Sequence, residues 1–187
     1  MLTSAISRFN EKRAAGAESE ADSGFTLIEL MVVLLIMAIL LAIAIPTFLG
    51  VKGGAQDRAA QSNLNTALTN AKAVYGNNQS YGTTSASAAA SLTASEPSLT
   101  FNNASSTGQN VISVATDSGG DSLLMVAFSS AKNCWAVVTN ETTGASATTQ
   151  TAAGTYYSVV ANTTPAACTA SYFQTAGTWT QNSFPPA

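Results

Sequence analysis

Hydrophobic residues are concentrated in one block near the start of the chain. From Phe25 to Ile45 the sequence reads FTLIELMVVLLIMAILLAIAI, and only Thr26 and Glu29 are polar. As a helix this block spans about 31 Å, which matches the hydrocarbon thickness of a bilayer. Because a helix satisfies its backbone hydrogen bonds within one segment, the block predicts a membrane-spanning helix.

The preceding residues 1–24 are polar and lack a regular hydrophobic period, so we predict a disordered leader. Arg8, Lys12 and Arg13 lie on the N-terminal side of the apolar block. Positive residues beside a membrane span favour the cytoplasmic side, so the leader is predicted to be cytoplasmic and the remainder extracytoplasmic.

The hydrophobic pattern then changes to that of an amphipathic helix. Pro46 is followed by Gly50, Gly53 and Gly54, which predict an interruption of the helix. Helical spacing resumes with the positions Ala60, Leu64, Ala67, Leu68, Ala71, Val74 and Tyr75. We therefore expect one long helix from about Phe25 to Tyr75, broken near Pro46–Gly54.

The rest of the chain predicts a small sheet. Residues 76–109 form a connection rich in Ser, Thr and Ala, with room for a short helix around Ala88–Thr93. Four apolar runs follow, separated by turn signals: Val111–Val114, Leu123–Phe128, Cys134–Val138 and Tyr156–Ala161. Short connections favour an antiparallel meander, one face of which would cover the amphipathic part of the helix. The predicted fold class is α+β.

Composition argues against several classes of function. The chain has no histidine and a net charge of −3, which removes a common general base and metal ligand. Residues 55–187 hold three cations and five carboxylates, which does not suit direct nucleic-acid binding. Asp117 and Asp121 are too few oxygen ligands for calcium. We expect no enzyme activity, no cofactor and no metal.

Cys134 and Cys168 are the two cysteines, and both lie in the region predicted to be extracytoplasmic. In an oxidising compartment they would form a disulfide, whereas in the cytosol they would be two small buried residues. The predicted export favours the disulfide.

Glu29 is a carboxylate inside the apolar block, where an unpaired charge is costly. The block contains no cation, and the nearest upstream one is Arg13. The partner of Glu29 is therefore expected to come from outside this part of the chain.

The stretch GFTLIELMVVLLIMAILLAIAIPTFLG, which starts at Gly24, resembles the class III leader junction and N-terminal helix of type IV pilins and pseudopilins. The resemblance implies cleavage between Gly24 and Phe25 and N-methylation of Phe25 by a prepilin peptidase. It also implies pairing of Glu29 with the N-terminal amine of a neighbouring subunit, and a helix that bends or melts near Pro46. Beyond this junction the resemblance is one of architecture only.

These points predict a structural subunit of a type IV pilus. Its parts would be a cleaved leader (1–24), a transmembrane and polymerisation helix (25–54) and an extracytoplasmic head (55–187), comprising a helix (55–75), a loop (76–109) and a sheet region (110–187). The expected partners are copies of itself, the peptidase, an inner-membrane assembly platform with an ATP-driven motor, and lipid before assembly.

Other interpretations of the same residues remain open. The apolar block would also suit an ordinary membrane anchor, or a secretory signal cleaved after Ala42-Ile43-Ala44. If the junction is that of the pilin family but the protein is not a pilus subunit, two alternatives remain. It would be a pseudopilin of a secretion or DNA-uptake system, or an anchored adhesin that does not polymerise.

Overall fold

A computed structural model describes residues 24–161 and 163–186. The predictions made for residues 1–23 lie outside the described residues. The chain divides into two compact units, one ending at Pro46 and one beginning at Thr47. The predicted boundary between residues 54 and 55 stays a prediction.

Helix α1 runs from Leu27 to Asn78 and contains Pro46. Pro46, Gly50, Gly53 and Gly54 all lie inside this helix. A proline removes one backbone hydrogen bond, and each glycine lowers helix propensity by about 1 kcal/mol, so these residues weaken the helix without ending it here. The predicted bending or melting of the helix at these positions stays a prediction.

Within the first unit, the described residues from 24 to 46 form an apolar helical segment with exposed side chains. All its large hydrophobic side chains between Phe25 and Ile45 are about half exposed or more, from 49% at Val32 to 82% at Phe25. This segment is long and apolar enough to cross a membrane. The prediction of a span by length and composition is thus consistent with the structure of this unit.

In the second unit, the remaining elements follow α1 in this order: α2 (Ser85–Ser95), β1 (Thr100–Asn102), β2 (Val111–Thr116), β3 (Ser122–Phe128), β4 (Cys134–Asn140), β5 (Gly154–Val160), a 3-10 turn (Pro165–Ala167), α3 (Ala170–Thr175) and β6 (Thr180–Gln181). Helix α2 occupies the place where a short helix was expected. Thr84 and Ser87 begin it with a reciprocal capping box.

The six strands form one sheet in chain order. Strands β2 to β5 form the predicted antiparallel meander. Strand β6, which was not predicted, adds to β5 in antiparallel, whereas β1 pairs with β2 in parallel. The parallel pair was not predicted, because the three residues of β1 are too short to show a period. With the long helix and the disulfide described below, the fold is the predicted α+β, pilin-like architecture.

The sheet is buried on both faces. On one face the amphipathic half of α1 packs through its apolar stripe, formed by Ala60, Leu64, Ala67, Leu68, Ala71 and Val74. These side chains meet Ile112, Val114, Leu123, Met125, Ala127, Trp135 and Val137 from β2, β3 and β4. This contact confirms that the sheet covers the helix.

The other face lies beneath an outer layer built by the loop after β4 and the chain after β5. Its core contains Leu124, Val126, Phe128, Ala136, Val138 and Tyr156 from the sheet, with Ala147, Ala170 and Phe173 from the outer layer. Every residue of β3 and β4 is consequently buried. This explains why both strands read as continuous apolar runs rather than as alternating ones.

The disulfide between Cys134 and Cys168 joins the sheet to this outer layer, with 5.6 Å between the two Cα atoms. Buried hydroxyl groups add to the attachment, since Ser113 Oγ accepts a hydrogen bond from the Ala170 backbone N–H at 2.9 Å. Ser122 Oγ likewise accepts one from the Ala147 N–H at 2.8 Å. The predicted disulfide is therefore confirmed.

Candidate functional site

The candidate site is the junction where the polar leader meets the apolar helix, at Gly24–Glu29. Gly24 and Phe25 precede helix α1 and are exposed. Thr26 lies at the N-cap position and Glu29 at N3, because α1 begins at Leu27.

Thr26 and Glu29 form a reciprocal capping box. The backbone N–H and the hydroxyl of Thr26 donate to Glu29 Oε2 at 2.8 and 2.7 Å, and the Glu29 N–H donates to Thr26 Oγ1 at 3.3 Å. Backbone donors that have no partner within the helix are thereby satisfied at its first turn. The sequence spacing T-x-x-E signals such a box, but the sequence analysis considered Glu29 only as a charge in need of a cation.

The Glu29 carboxylate can accept more hydrogen bonds than the capping box uses. The hydrogen bonds that the Thr26 backbone N–H and hydroxyl donate both reach Oε2, whereas a carboxylate offers about four acceptor positions on its two oxygens. Phe25 is 82% exposed beside it. The carboxylate is thus held in a defined place at the start of the helix while part of it faces outward.

The remaining residues predicted for the site lie elsewhere and are not gathered at the junction. Pro46, Gly50, Gly53 and Gly54 lie within α1, and Cys134 and Cys168 lie in the sheet region. The structure therefore leaves Gly24, Phe25 and Glu29 as one local site, to which it adds Thr26.

Asp57 is one of the five carboxylates in residues 55–187, and the structure gives it a distinct position. Its two carboxylate oxygens accept hydrogen bonds from Asn133 Nδ2 at 2.9 Å and from Trp135 Nε1 at 3.0 Å. Both partners belong to the β3–β4 region, more than 70 residues away in the sequence. The sequence around Asp57 does not predict a contact with residues so far along the chain.

Two tyrosines join the end of α1 to carboxylates at the opposite end of the sheet. Tyr75 donates its hydroxyl hydrogen to Asp121 Oδ1 at 2.8 Å, and Tyr81 donates to Glu141 Oε1. The hydrogen bond to Asp121 raises the pKa of Tyr75. Burial, together with the Glu141 hydrogen bond, raises the pKa of Tyr81 further. Asp117 and Asp121 thus act as hydrogen-bonded turn residues, and Asp117 Oδ1 accepts from the Ser122 N–H at 2.9 Å.

Comparison with known proteins bears directly on the junction. Residues 21–45 match the family model described as the prokaryotic N-terminal methylation motif. This segment of the chain is therefore similar to the N-terminal segment of proteins that carry that motif. A relative is the type IV major pilin protein PilA of Myxococcus xanthus (strain DK1622), 37% identical over 76 residues.

The pilin resemblance covers part of each protein. The 76 matched residues are 41% of this chain and 30% of the Myxococcus relative. No solved structure matches this chain. The similarity is therefore to the N-terminal part of a pilin, and what the whole protein does is taken up as a proposal.

Proposed function

We propose that this protein is a structural subunit of a type IV pilus filament. The observation that supports this most is the apolar helical segment from Phe25 to Ile45, whose large side chains are all about half exposed or more in the single chain. So much apolar surface requires a covering in water, at roughly 25 cal/mol for each Å². Lipid covers it in the precursor, and copies of the same helix cover it in the filament.

During assembly, the apolar helix would leave the lipid of the inner membrane and enter the helix bundle of the filament. Because lipid and a helix bundle both exclude water from the segment, the apolar surface stays buried during transfer. The head, with its two-layered core and its disulfide, faces the outside of the fibre. An assembly platform with an ATP-driven motor in other proteins supplies the work of extraction.

Maturation is proposed to occur by cleavage between Gly24 and Phe25, with methylation of the new Phe25 amine. Cleavage creates a positive charge within two residues of the Thr26 and Glu29 capping box. The part of the Glu29 carboxylate not used by Thr26 then accepts the ammonium of a neighbouring subunit. A charge pair of this kind forms only after proteolysis, so precursors do not polymerise prematurely.

Intact mass spectrometry of surface fibres sheared from the native host tests the proposal. The expected species is residues 25–187, lighter by two hydrogens for the disulfide and heavier by one methyl group. A chain that still begins at Met1, or that starts at a residue other than Phe25, contradicts the proposal. Absence of the chain from the fibres, with the mature protein in the membrane, would instead favour a pseudopilin or an anchored adhesin.

A further inference from the structure

Charges of opposite sign predominate at the two ends of the second unit. Outside the leader, four cations occur in the sequence, Lys52, Arg58, Lys72 and Lys132. All except Lys72 lie at the end where α1 leads into the second unit, and we call Lys52, Arg58 and Lys132 the basic end. Asp117, Asp121 and Glu141 lie at the other end of the sheet, and we call them the acidic end.

The placement of the basic end follows from contacts between α1 and the β3–β4 turn. A Cβ atom added to Gly53 would lie 3.9 Å from the Cβ of Ala131, and Asp57 accepts a hydrogen bond from Asn133 at 2.9 Å. Lys132 lies between these two turn residues and therefore flanks the same stretch of helix. Lys52, Arg58 and Lys132 are all exposed.

The acidic end is fixed by contacts near the last turn of α1. Tyr75 binds Asp121, and the Glu141 N–H donates to the Asp121 carbonyl at 2.9 Å. Asp117 opens the same β2–β3 turn, where its side chain accepts from Ser122. All three carboxylate residues remain half exposed.

The two ends are far apart in one chain. Asp57, within the basic end, and Tyr75, which binds the acidic end, are separated along α1 by about 27 Å at 1.5 Å per residue. Even with Asp57 included, the basic end has three cations against one carboxylate. The acidic end has three carboxylates against one cation, Lys72, which lies three residues before Tyr75 on α1 and donates to Thr155 Oγ1 at 3.3 Å. A Lys side chain at one end therefore cannot touch a carboxylate at the other end of the same head.

We infer that the basic end of one subunit docks on the acidic end of the next copy along the filament. This inference rests on the proposed filament. All copies inserted with the same orientation are parallel, so neighbours displaced along the axis present unlike ends to each other. A contact between two different surfaces of identical subunits extends without closing, as a filament requires. The charge pairs set the direction and spacing of the heads, while the apolar helices supply most of the cohesion.

Zero-length carbodiimide crosslinking of sheared fibres tests this contact directly. The reagent joins an amine and a carboxylate that touch, forming an amide as water is transferred to the carbodiimide. We expect peptides that link Lys52 or Lys132 to Asp117, Asp121 or Glu141. The same links should be at least about tenfold weaker in full-length protein dispersed in detergent, because the separation within one chain forbids them.

Charge reversal in the host provides a second measurement. Arg58→Glu combined with Lys132→Glu should reduce surface fibre several-fold at physiological salt, while the monomer remains in the membrane. The matched control is Lys72→Glu, an exposed cation outside the basic end. Because Lys72 lies on α1 beside the acidic end, where it donates to Thr155 Oγ1 at 3.3 Å, its reversal only adds negative charge there and should leave fibre yield within about twofold. Screening by salt should also weaken wild-type fibres, because these pairs are exposed.

The outcomes separate this inference from the proposed function. Fibres that contain the chain but show no links between the ends, and that tolerate the double reversal, overturn the docking and leave the filament role intact. Loss of the double variant from the membrane would assign the basic end to anionic lipid and would likewise overturn it. Absence of the chain from surface fibres overturns both.

Discussion

Asp57 on helix α1 accepts a hydrogen bond from the indole N–H of Trp135 on strand β4, at 3.0 Å. Trp135 is 2% exposed, so water does not readily replace the carboxylate as the acceptor. Asp57 also lies one turn before Ala60, the first fully buried residue of the apolar stripe of α1. The pair thus fixes the position along α1 at which the helix attaches to the sheet.

Replacing Asp57 by Ala should destabilise the head by about 1–3 kcal/mol, because a buried indole N–H loses its partner. Thermal or denaturant unfolding of the purified protein in detergent measures this loss. Trp135→Phe removes the donor as well, so Asp57→Ala made in a Trp135→Phe background should cost markedly less. Equal costs in both backgrounds would mean that the hydrogen bond contributes nothing.

Two roles of Glu29, cap and charge, are separable by substitution. Glu29→Gln keeps an acceptor for the capping box but removes the charge, whereas Thr26→Ala removes the cap and keeps the charge. If the charge pairs with a neighbouring amine, Glu29→Gln should abolish fibres with the monomer still in the membrane. Thr26→Ala should cost about 0.5–2 kcal/mol of helix stability and leave most fibre.

Electron microscopy and shearing of fibres, with immunoblotting of membranes as the control for expression, measure both variants. Normal fibres from Glu29→Gln would show that the capping box is the main function of this residue. A loss of fibres in Thr26→Ala equal to that in Glu29→Gln would show that the two residues act as one unit.

The disulfide should be the main covalent attachment of the outer layer. Cys134 and Cys168 are 34 residues apart, and closing a loop of this size stabilises by about 3–4 kcal/mol on the chain-entropy model. Cys134→Ala combined with Cys168→Ala should lower the melting temperature clearly, and a reductant should have the same effect on the wild type. Unchanged protease resistance of residues 163–186 in the double variant would contradict this role.

Tyr81 should make the head sensitive to alkali. Burial, with the Glu141 hydrogen bond, raises the pKa of its phenol above the ordinary value of 10.0. A raised pKa in the folded state means that the stabilisation is complete below pH 10 and is lost as the pH rises beyond it. Chemical unfolding between pH 8 and pH 11.5 should show this decline.

The matched control for that prediction is Tyr81→Phe. It should cost about 1 kcal/mol near neutral pH through the lost hydrogen bond, and its stability should fall less steeply above pH 10. An identical alkaline profile for the variant and the wild type would assign the decline to other tyrosines.

Elements with a strong local pattern were predictable from the sequence. The apolar helix, the stripe from Ala60 to Val74 and the runs of β2 to β5 were expected and observed, because the period of side-chain burial reports the local backbone directly. Strands β1 and β6 were missed, since two or three residues cannot show a period. The candidate site was recognisable because Gly24, Phe25 and Glu29 lie within six consecutive residues, although the capping box with Thr26 was not predicted.

The sequence by itself determined the membrane-length helix, the pilin-like motif at Gly24–Glu29 and an α+β head, since each depends on residues close together in the chain. Only the tertiary structure decided that both faces of the sheet are buried and that Asp57 binds Trp135. It also decided that Lys132 joins the basic end while Glu141 joins the acidic end. These features depend on residues tens of positions apart, whose meeting is governed by packing of the whole core rather than by any local preference.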